Sequence, residues 1–382
     1  MAEGSALAIF RRPRLFVDRF LGIPMLPETS LAFLTGLLDA PGPSGFEALP
    51  ARRWRSFAEG FADNVRADVN GNSFATLGTA GGETPPVMLA GHIDEIGFMV
   101  VHIDDQGYLW FEPIGGWDPQ VFVGQRVTVL GRNATVPGVI GKPAIHLVQK
   151  EDREKVSKTH ELWIDIGATS KSEVAERIRV GDAGVLAGAP ERLPNNRLTS
   201  RSLDNRIGAF VVLEALRRLA GARPAVPVIA VATAQEEIGH SGGGARPSAT
   251  SLAPLAAIVV DVTHATDTPG VEKKRHGDVA LGAGAVLSRG SSVNPRVFDL
   301  LVEAAEAEGI PYVVQAAARD TGTDADAIFT AHKGIATGLV SVPLRYMHSP
   351  NELVALDDLD AAAGLLAGFA RRVTAATDFI PG

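Results

Sequence analysis

Residues 87–95 read VMLAGHIDE, an apolar run that leads into a glycine, a histidine and two acidic residues. Two further runs have the same form. Residues 226–234 (VPVIAVATA) lead into Gln-Glu-Glu at 235–237, and residues 256–260 (AAIVV) lead into Asp261. Short apolar runs without alternation are typical of strands that are buried on both faces of a parallel sheet. The three runs therefore predict strands that deliver a histidine and several carboxylates to one edge of a sheet.

Helical patterns lie between and after these runs. Residues 204–219 place a set of apolar side chains on approximately one face, namely Ile207, Phe210, Val211, Ala215 and Leu219. Residues 294–308 begin with Asn294 as an N-cap and Pro295 at the first helical position, and Gly309 follows their end. Strands that alternate with helices predict an α/β layer architecture.

Residues 103–195 differ from this pattern, because frequent glycines separate short β-rich runs such as residues 127–130. This composition predicts a small β module that is inserted into the α/β part. We therefore expect a catalytic domain built from residues 31–102 and 196–382, an inserted β domain at 103–195, and an N-terminal extension at 1–30.

The composition excludes several classes of protein. With 382 residues, 46% hydrophobic and 21% charged, the chain is an ordinary globular protein rather than a disordered one. Its net charge of −8 disfavours a nucleic-acid partner. The absence of cysteine rules out disulfides, thiolate metal sites and cysteine nucleophiles. No run approaches the ~18 apolar residues of a membrane span, so we expect a cytoplasmic protein.

The N-terminal extension carries arginines interleaved with large apolar residues. The arginines are Arg11, Arg12, Arg14 and Arg19, and the apolar residues are Phe10, Leu15, Phe16, Phe20 and Leu21. It lacks the continuous apolar core of a signal peptide. This composition indicates either a solvated, loosely docked extension or an interaction arm.

Five residues form a candidate metal-ligand set of two histidines and three carboxylates: His92, Asp204, Glu237, Asp261 and His348. Taken singly, Asp204 also suits a helix N-cap, and His348 also suits a structural role in a loop. Nitrogen and oxygen ligands without sulfur suit zinc, with cobalt or manganese as alternatives. Five ligands satisfy the count for two metal ions that share one bridging carboxylate.

Metal-assisted hydrolysis also needs a base that is not a ligand. Glu236 and Glu237 are adjacent, so one of them can bind metal while the other faces the attacking water. Asp94 follows His92 by two residues and is placed to hold the second imidazole nitrogen. These residues together predict a hydrolase.

Seven stretches, in this order, resemble the co-catalytic metallo-aminopeptidase family that includes bacterial glutamyl aminopeptidase and the archaeal tetrahedral aminopeptidases. They are residues 41–47 (PGPSGFE), 91–100 (GHIDEIGFMV), 202–208 (SLDNRIG), 234–239 (AQEEIG), 261–270 (DVTHATDTPG), 322–325 (GTDA) and 342–352 (VPLRYMHSPNE). Singly these motifs are weak, but as an ordered series they are specific, and they span nearly the whole chain.

The resemblance implies a role for each site residue. His92 and Asp261 would hold one ion, Glu237 and His348 would hold the other, and Asp204 would bridge the two. Glu236 would be the general base, and Asp94 would support His92.

The resemblance also implies a zinc-exopeptidase-like mixed sheet flanked by helices, with an inserted small β-barrel that serves dimerisation. Peptides would be the substrates, and dimers would assemble into dodecamers.

Two departures from the family pattern bear on these expectations. Ser241 stands where the family often has a basic residue, and the chain begins well before the usual start near Ser30. Three activities remain open: an aminopeptidase, a related dinuclear amidohydrolase such as a deacylase or carboxypeptidase, and a non-catalytic assembly scaffold. The intact ligand set together with Glu236 favours an enzyme.

Overall fold

The structure is a computed structural model that describes residues 26–79, 84–239 and 242–382. The arginine-rich segment at residues 10–21 lies outside the described residues, and so does Ser241. The predictions made for these two features are therefore not addressed by the structure.

The described residues form strands and helices, which alternate regularly from about residue 197 to residue 344. The strands are β1 (Asn64–Ala67), β2 (Ser73–Leu77), β3 (Val87–His92), β4 (Gly97–Ile103), β5 (Leu109–Ile114), β6 (Arg126–Leu130), β7 (Thr135–Gly141), β8 (Trp163–Asp165), β9 (Ala183–Leu186), β10 (Glu191–Leu193), β11 (Arg197–Ser200), β12 (Val228–Thr233), β13 (Ala256–His264), β14 (Ala285–Gly290), β15 (Tyr312–Ala317), β16 (Ala336–Leu344) and β17 (Glu352–Ala355). The helices are α1 (Glu28–Asp39), α2 (Ala48–Ala58), α3 (Pro119–Phe122), α4 (Lys171–Ala175), α5 (Leu203–Leu219), α6 (Ala245–Leu252), α7 (Lys273–His276), α8 (Pro295–Glu308), α9 (Asp324–Phe329) and α10 (Leu356–Arg372).

A mixed sheet forms the centre of the α/β part, with the order β1-β2-β12-β3-β13-β16-β14-β15 in the described residues. The three apolar runs become β12, β3 and β13, which are adjacent and parallel. The expectation that their carboxyl ends meet at one edge is confirmed, because Thr233 and His92 are register partners at the ends of β12 and β3.

Strand β13 is longer than its apolar run. Its pairing with β3 stops at Val259, but its pairing with β16 continues as far as His264. Asp261 therefore lies within a strand and not after one, with its backbone fixed by β16 on one side.

Helices cover both faces of the sheet. On one face, α5 lies against β3 and β13 and is buried along almost its whole length, and α1, α2, α8 and α10 complete that layer. On the other face α6 and α9 bury a smaller apolar cluster. The capping prediction for α8 is confirmed, because the Asn294 side chain accepts the backbone N–H groups of Arg296 and Val297. The predicted mixed sheet flanked by helices is thus confirmed.

The segment between β3 and β10 contains a closed barrel with the strand order β4-β5-β8-β7-β6-β9. Its interior is filled by aromatic and aliphatic side chains, among them Phe98, Phe111 and Phe122. The predicted inserted β-barrel is confirmed, and its strands run from Gly97 to Leu186. The domain boundaries and the dimerisation role remain predictions.

Strands β10, β11 and β17 form a separate three-stranded antiparallel sheet beside the main sheet. This small sheet connects the end of the barrel segment to the loop that carries His348. None of the helices in the described ranges combines the length and the apolar character that crossing a bilayer requires.

Candidate active site

The five predicted ligands come from five separate places in the chain and meet at one point. His92 ends β3, Asp204 lies in the first turn of α5, Glu237 follows β12, Asp261 lies in β13, and His348 lies in the loop between β16 and β17. All five are buried or half-buried. The structure therefore brings together every residue of the predicted set.

Close packing of α5 on the sheet positions Asp204. A Cβ atom on Gly91 would lie 2.5 Å from the backbone of Gly208, and a Cβ atom on Gly208 would lie 2.6 Å from the carbonyl oxygen of Val260. Only glycine permits this approach, because real Cβ atoms do not occur at such distances. The two glycines allow the start of α5 to pack directly against the ends of β3 and β13.

The Asp204 carboxylate lies between the two histidines. Its Oδ1 is 3.2 Å from His92 Nε2, and its Oδ2 is 3.4 Å from His348 Nε2. The alternative prediction, that Asp204 caps α5, is not supported, because its carboxylate faces the two histidines and the side chain of Asn205 accepts the backbone N–H of Gly208 at 3.0 Å instead.

Two trios of possible ligand atoms share Asp204. His92, Asp204 and Asp261 form one trio, and Asp204, Glu237 and His348 form the other. Asp261 Oδ1 lies 3.9 Å from His92 Nε2, and Glu237 Oε2 lies 3.4 Å from His348 Nε2. Within each trio the ligand atoms are within 4.8 Å of one another.

Neighbouring groups hold the two imidazole rings. His348 Nδ1 lies 2.6 Å from the carbonyl oxygen of Gly116, so this nitrogen is the donor and Nε2 is directed at Asp204 and Glu237. His92 Nδ1 is 3.4 Å from Asp94 Oδ1, at the edge of hydrogen-bond range. In both rings Nε2 is thus the nitrogen that faces the shared carboxylate.

Asp94 is a fully buried junction behind His92. It accepts the backbone N–H groups of Glu236 and Glu237, each at 3.1 Å, and the hydroxyl of Ser44 at 2.5 Å. Although burial opposes it, these contacts and the one with His92 lower the pKa of Asp94. Asp94 therefore fixes both the imidazole and the turn that carries the adjacent glutamates.

Glu236 and Glu237 point to different surroundings. Glu237 Oε2 faces His348, whereas Glu236 Oε2 lies 3.7 Å from His92 Nε2 and retains 18% side-chain exposure. Both line an open cleft of about 700 Å³, whose other walls include Gly239, Thr323 and Asp326. A substrate bound in this cleft would therefore lie against Glu236, next to the shared Asp204 carboxylate.

The negative charge of the carboxylates at the site exceeds the positive charge of the side chains around them. Burial raises the pKa of Asp261, and burial together with nearby carboxylates raises the pKa of Glu236 to about 10 despite the opposing effect of His92. Burial, followed by repulsion from Asp204, raises the pKa of Glu352.

One buried carboxylate oxygen here, Glu237 Oε1, has no hydrogen-bond partner. Divalent cations would favour the ionised carboxylates and use the free lone pair of this oxygen. The donor set fits metal ions of the zinc type, because it combines imidazole nitrogen with carboxylate oxygen.

Four further residues contact the site or lie close to it, although no function was predicted for them. Ser44 and Glu352 occur in motifs quoted above, and membership in those motifs was the only sequence feature that could have identified them. Asp324, also within a motif, is buried and accepts the Thr233 hydroxyl at 2.5 Å. Gly116 contributes only a carbonyl oxygen from the barrel segment, and nothing in the sequence marks it.

Comparison with known proteins points to one family. The sequence profile of the M42 glutamyl aminopeptidase family matches residues 71–365. A lysyl aminopeptidase of Pyrococcus furiosus is 36% identical over 328 residues, which is 85% of this chain and 92% of that protein.

Solved structures agree with this match. The TET aminopeptidase of a marine sediment thaumarchaeon superposes with a TM-score of 0.85 at 33% identity, over 91% of this chain and 97% of that one. The Pyrococcus horikoshii TET1 peptidase, described as assembling into a tetrahedron or a large octahedral shell, gives a TM-score of 0.79 at 28% identity. That match covers 90% of this chain and 100% of the other.

Proposed function

The chain belongs to the M42 glutamyl aminopeptidase family and is a metal-dependent aminopeptidase, and from this premise we propose that it uses two divalent ions and Glu236 to release N-terminal residues from peptides. The observation that carries the proposal is the Asp204 carboxylate, which directs one oxygen at His92 and the other at His348. Such an arrangement suits a carboxylate that bridges two ions.

The ligands divide between the two ions according to the two trios. His92 and Asp261 would hold the first ion, Glu237 and His348 would hold the second, and Asp204 would serve both. Zinc suits the five nitrogen and oxygen donors, and cobalt and manganese accept the same donors. When bound, such ions polarise a carbonyl group and lower the pKa of water toward about 7.

Glu236 is the proposed general base. Its carboxylate lies at the cleft next to the trios, and its position is fixed by the hydrogen bond from its backbone N–H to Asp94. It would take a proton from the attacking water and give that proton to the leaving amine. Asp94 would hold His92 with Nε2 directed at the site, which is the usual function of such a partner.

The barrel is the proposed subunit contact. Its segment between β7 and β8 exposes Ile145, Leu147 and Val156. Because the related TET1 peptidase assembles into closed shells, we expect homo-oligomers built from dimers, with a dodecamer as the complete particle. The expected cytoplasmic location stays a prediction.

A panel of aminoacyl anilides tests the activity. The protein should be stripped of metal, reloaded with Zn²⁺, Co²⁺ or Mn²⁺, and assayed on substrates with free and with N-acetylated termini. We expect hydrolysis of the free-amine substrates only, and only after metal is restored. Release of acetate from the acetylated substrates with the anilide bond intact would favour a deacylase. An acetylated dipeptide with a free C-terminal carboxylate completes the panel, and release of its C-terminal residue would favour a carboxypeptidase. A complete lack of turnover on all substrates would favour a scaffold.

A further inference from the structure

Glu352 is a buried carboxylate that joins two parts of the candidate metal centre. It is the first residue of β17, and only 2% of its surface is exposed. Its Oε1 accepts the backbone N–H of His348 at 2.9 Å, and its Oε2 accepts the backbone N–H of Asp204 at 3.0 Å. Both oxygens are thus directed at the backbones of two candidate ligands and not at the metal positions.

The two amides come from segments that are far apart in the chain and that the pairing of β11 with β17 brings together. Asp204 lies in the first turn of α5, and His348 lies in the loop after β16, more than a hundred residues later in the chain. His348 has a φ of 60°, and so does Ser202, two residues before Asp204. Left-handed backbone at non-glycine residues persists only where the surroundings enforce it. A buried side chain that accepts hydrogen bonds from both segments supplies such enforcement.

Glu352 is itself held on a rigid element. Its strand pairs with β11, where Ser200 is the register partner of Glu352. Next to it, Arg345 and Leu353 exchange two backbone hydrogen bonds of 3.0 Å and close the loop that carries His348. The pairing of β17 therefore fixes the position of the Glu352 carboxyl group. Its two hydrogen bonds in turn fix the backbones of Asp204 and His348.

We propose that Glu352 is a positioning residue that sets the spacing between Asp204 and His348 and thereby the affinity for the ion held by Asp204, Glu237 and His348. The inference rests on the proposed two-ion centre. It goes beyond that proposal because it assigns a residue that contacts no ion. The ion at His92 and Asp261 should depend on Glu352 much less, since only the shared Asp204 connects the two.

A matched control separates this role from ordinary burial of a carboxylate. Asp358 is also fully buried and also accepts two backbone N–H groups, from Gly282 at 2.8 Å and from Gly284 at 2.7 Å. It lies at the start of α10 and touches none of the five candidate ligands. If Glu352 merely stabilises the fold, Glu352→Gln and Asp358→Asn should have similar consequences for metal binding.

The test is a metal titration of the stripped full-length protein with Co²⁺ or Zn²⁺, followed by calorimetry and by metal analysis per chain. The unchanged protein should bind two ions. In Glu352→Gln, one dissociation constant should rise about 10–100-fold, the range typical for partners of metal ligands, while the other changes little. The weakened ion should be the one that Glu237→Gln loses, and Asp358→Asn should bind both ions normally.

Glu352→Asp provides a second variant, because it keeps the carboxyl group but is too short to reach both amides. It carries the test if Glu352→Gln does not fold, and the same selective loss is expected. Two ions bound with normal affinity in the folded variants, or an equal loss in Asp358→Asn, would overturn the role of Glu352 alone. Fewer than two ions in the unchanged protein would instead overturn the proposed two-ion centre.

Discussion

The carboxylate of Asp94 accepts the backbone N–H of Glu236 at 3.1 Å. Asp94, which faces Nδ1 of His92, therefore also fixes the turn that carries Glu236, the candidate base. This double contact couples metal binding to the position of the base, and it leads to the first prediction.

Asp94→Asn should lower kcat and weaken the ion held by His92, each by about 10–100-fold. The amide that replaces one oxygen cannot accept both backbone N–H groups and the Ser44 hydroxyl. Asp104→Asn is the control, because Asp104 accepts the backbone N–H groups of Gln106 and Tyr108 in a remote barrel turn. Equal kinetics for both variants, with metal content unchanged, would speak against the coupling.

Charged substitutions on the barrel should reduce the number of subunits per particle. Leu147 is 78% exposed and lies in the segment between β7 and β8. Leu147→Glu should disfavour burial of this position in a subunit contact, because an unpaired charge is costly to bury. Ile380→Glu is the control, since Ile380 is 76% exposed on the C-terminal tail. Light scattering after size-exclusion chromatography gives the particle mass, and identical masses for both variants would contradict the proposed contact.

Arg206 should contribute more to stability than any surface arginine pair. It is fully buried and donates to Glu95, to backbone carbonyl oxygens in the last turn of α1 and in the chain that follows it, and to the carbonyl oxygen of Ile93. Arg206→Met leaves the buried Glu95 with only Arg201 as its ionic partner, and we expect a loss of about 3–5 kcal/mol in the free energy of unfolding.

The control for this prediction is the pair of Arg223 with Asp63, which lies on the surface. Arg223→Met should cost about 0–1 kcal/mol. Urea denaturation of the two variants and the unchanged protein gives both numbers. Losses of similar size would show that the buried arginine network is not a special source of stability.

Asp358 should make stability depend on pH. Burial raises the pKa of Asp358 to about 7, although the N–H groups of Gly282 and Gly284 oppose the shift. Between the unfolded pKa of about 4 and this value, the folded state holds a proton that the unfolded state has released. The free energy of unfolding should therefore fall as the pH rises through this window, by up to about 1.4 kcal/mol per pH unit.

Asp358→Asn removes this proton and should flatten the curve. Denaturation midpoints measured from pH 4.5 to pH 7.5 on both proteins give the difference between their slopes. Parallel curves would mean that Asp358 titrates near its ordinary value in the folded protein.

The sequence predicted the candidate site best where possible metal ligands follow directly after apolar runs. Apolar runs followed by His92, by the adjacent glutamates and by Asp261 predicted the sheet edge at which the ligands meet. Asp204 and His348 could be placed only by resemblance, because their position depends on how α5 and the loop after β16 fold back onto that edge. The same limit explains why Gly116 was missed, since a backbone carbonyl contact leaves no trace in residue type.

Strand lengths show the same limit. The apolar run at residues 256–260 ends where the hydrophobic pattern ends, but β13 continues to His264 because β16 still pairs with it. Such pairing is a tertiary property that no local window contains. Likewise, the motif letters contained Glu352, but only the structure shows that its two oxygens join Asp204 to His348.

The central claim is that Glu236 is the general base and Glu237 is a metal ligand. The most direct test is to measure metal content and turnover on one variant of each residue. Glu236→Gln should keep two ions per chain and lose about 10²–10⁴-fold or more in kcat, the contribution of a general base. Glu237→Gln should lose the ion that it shares with His348. Loss of an ion in Glu236→Gln with both ions retained in Glu237→Gln would reverse the two roles. Two ions and near-normal rates in both variants would contradict the mechanism as a whole.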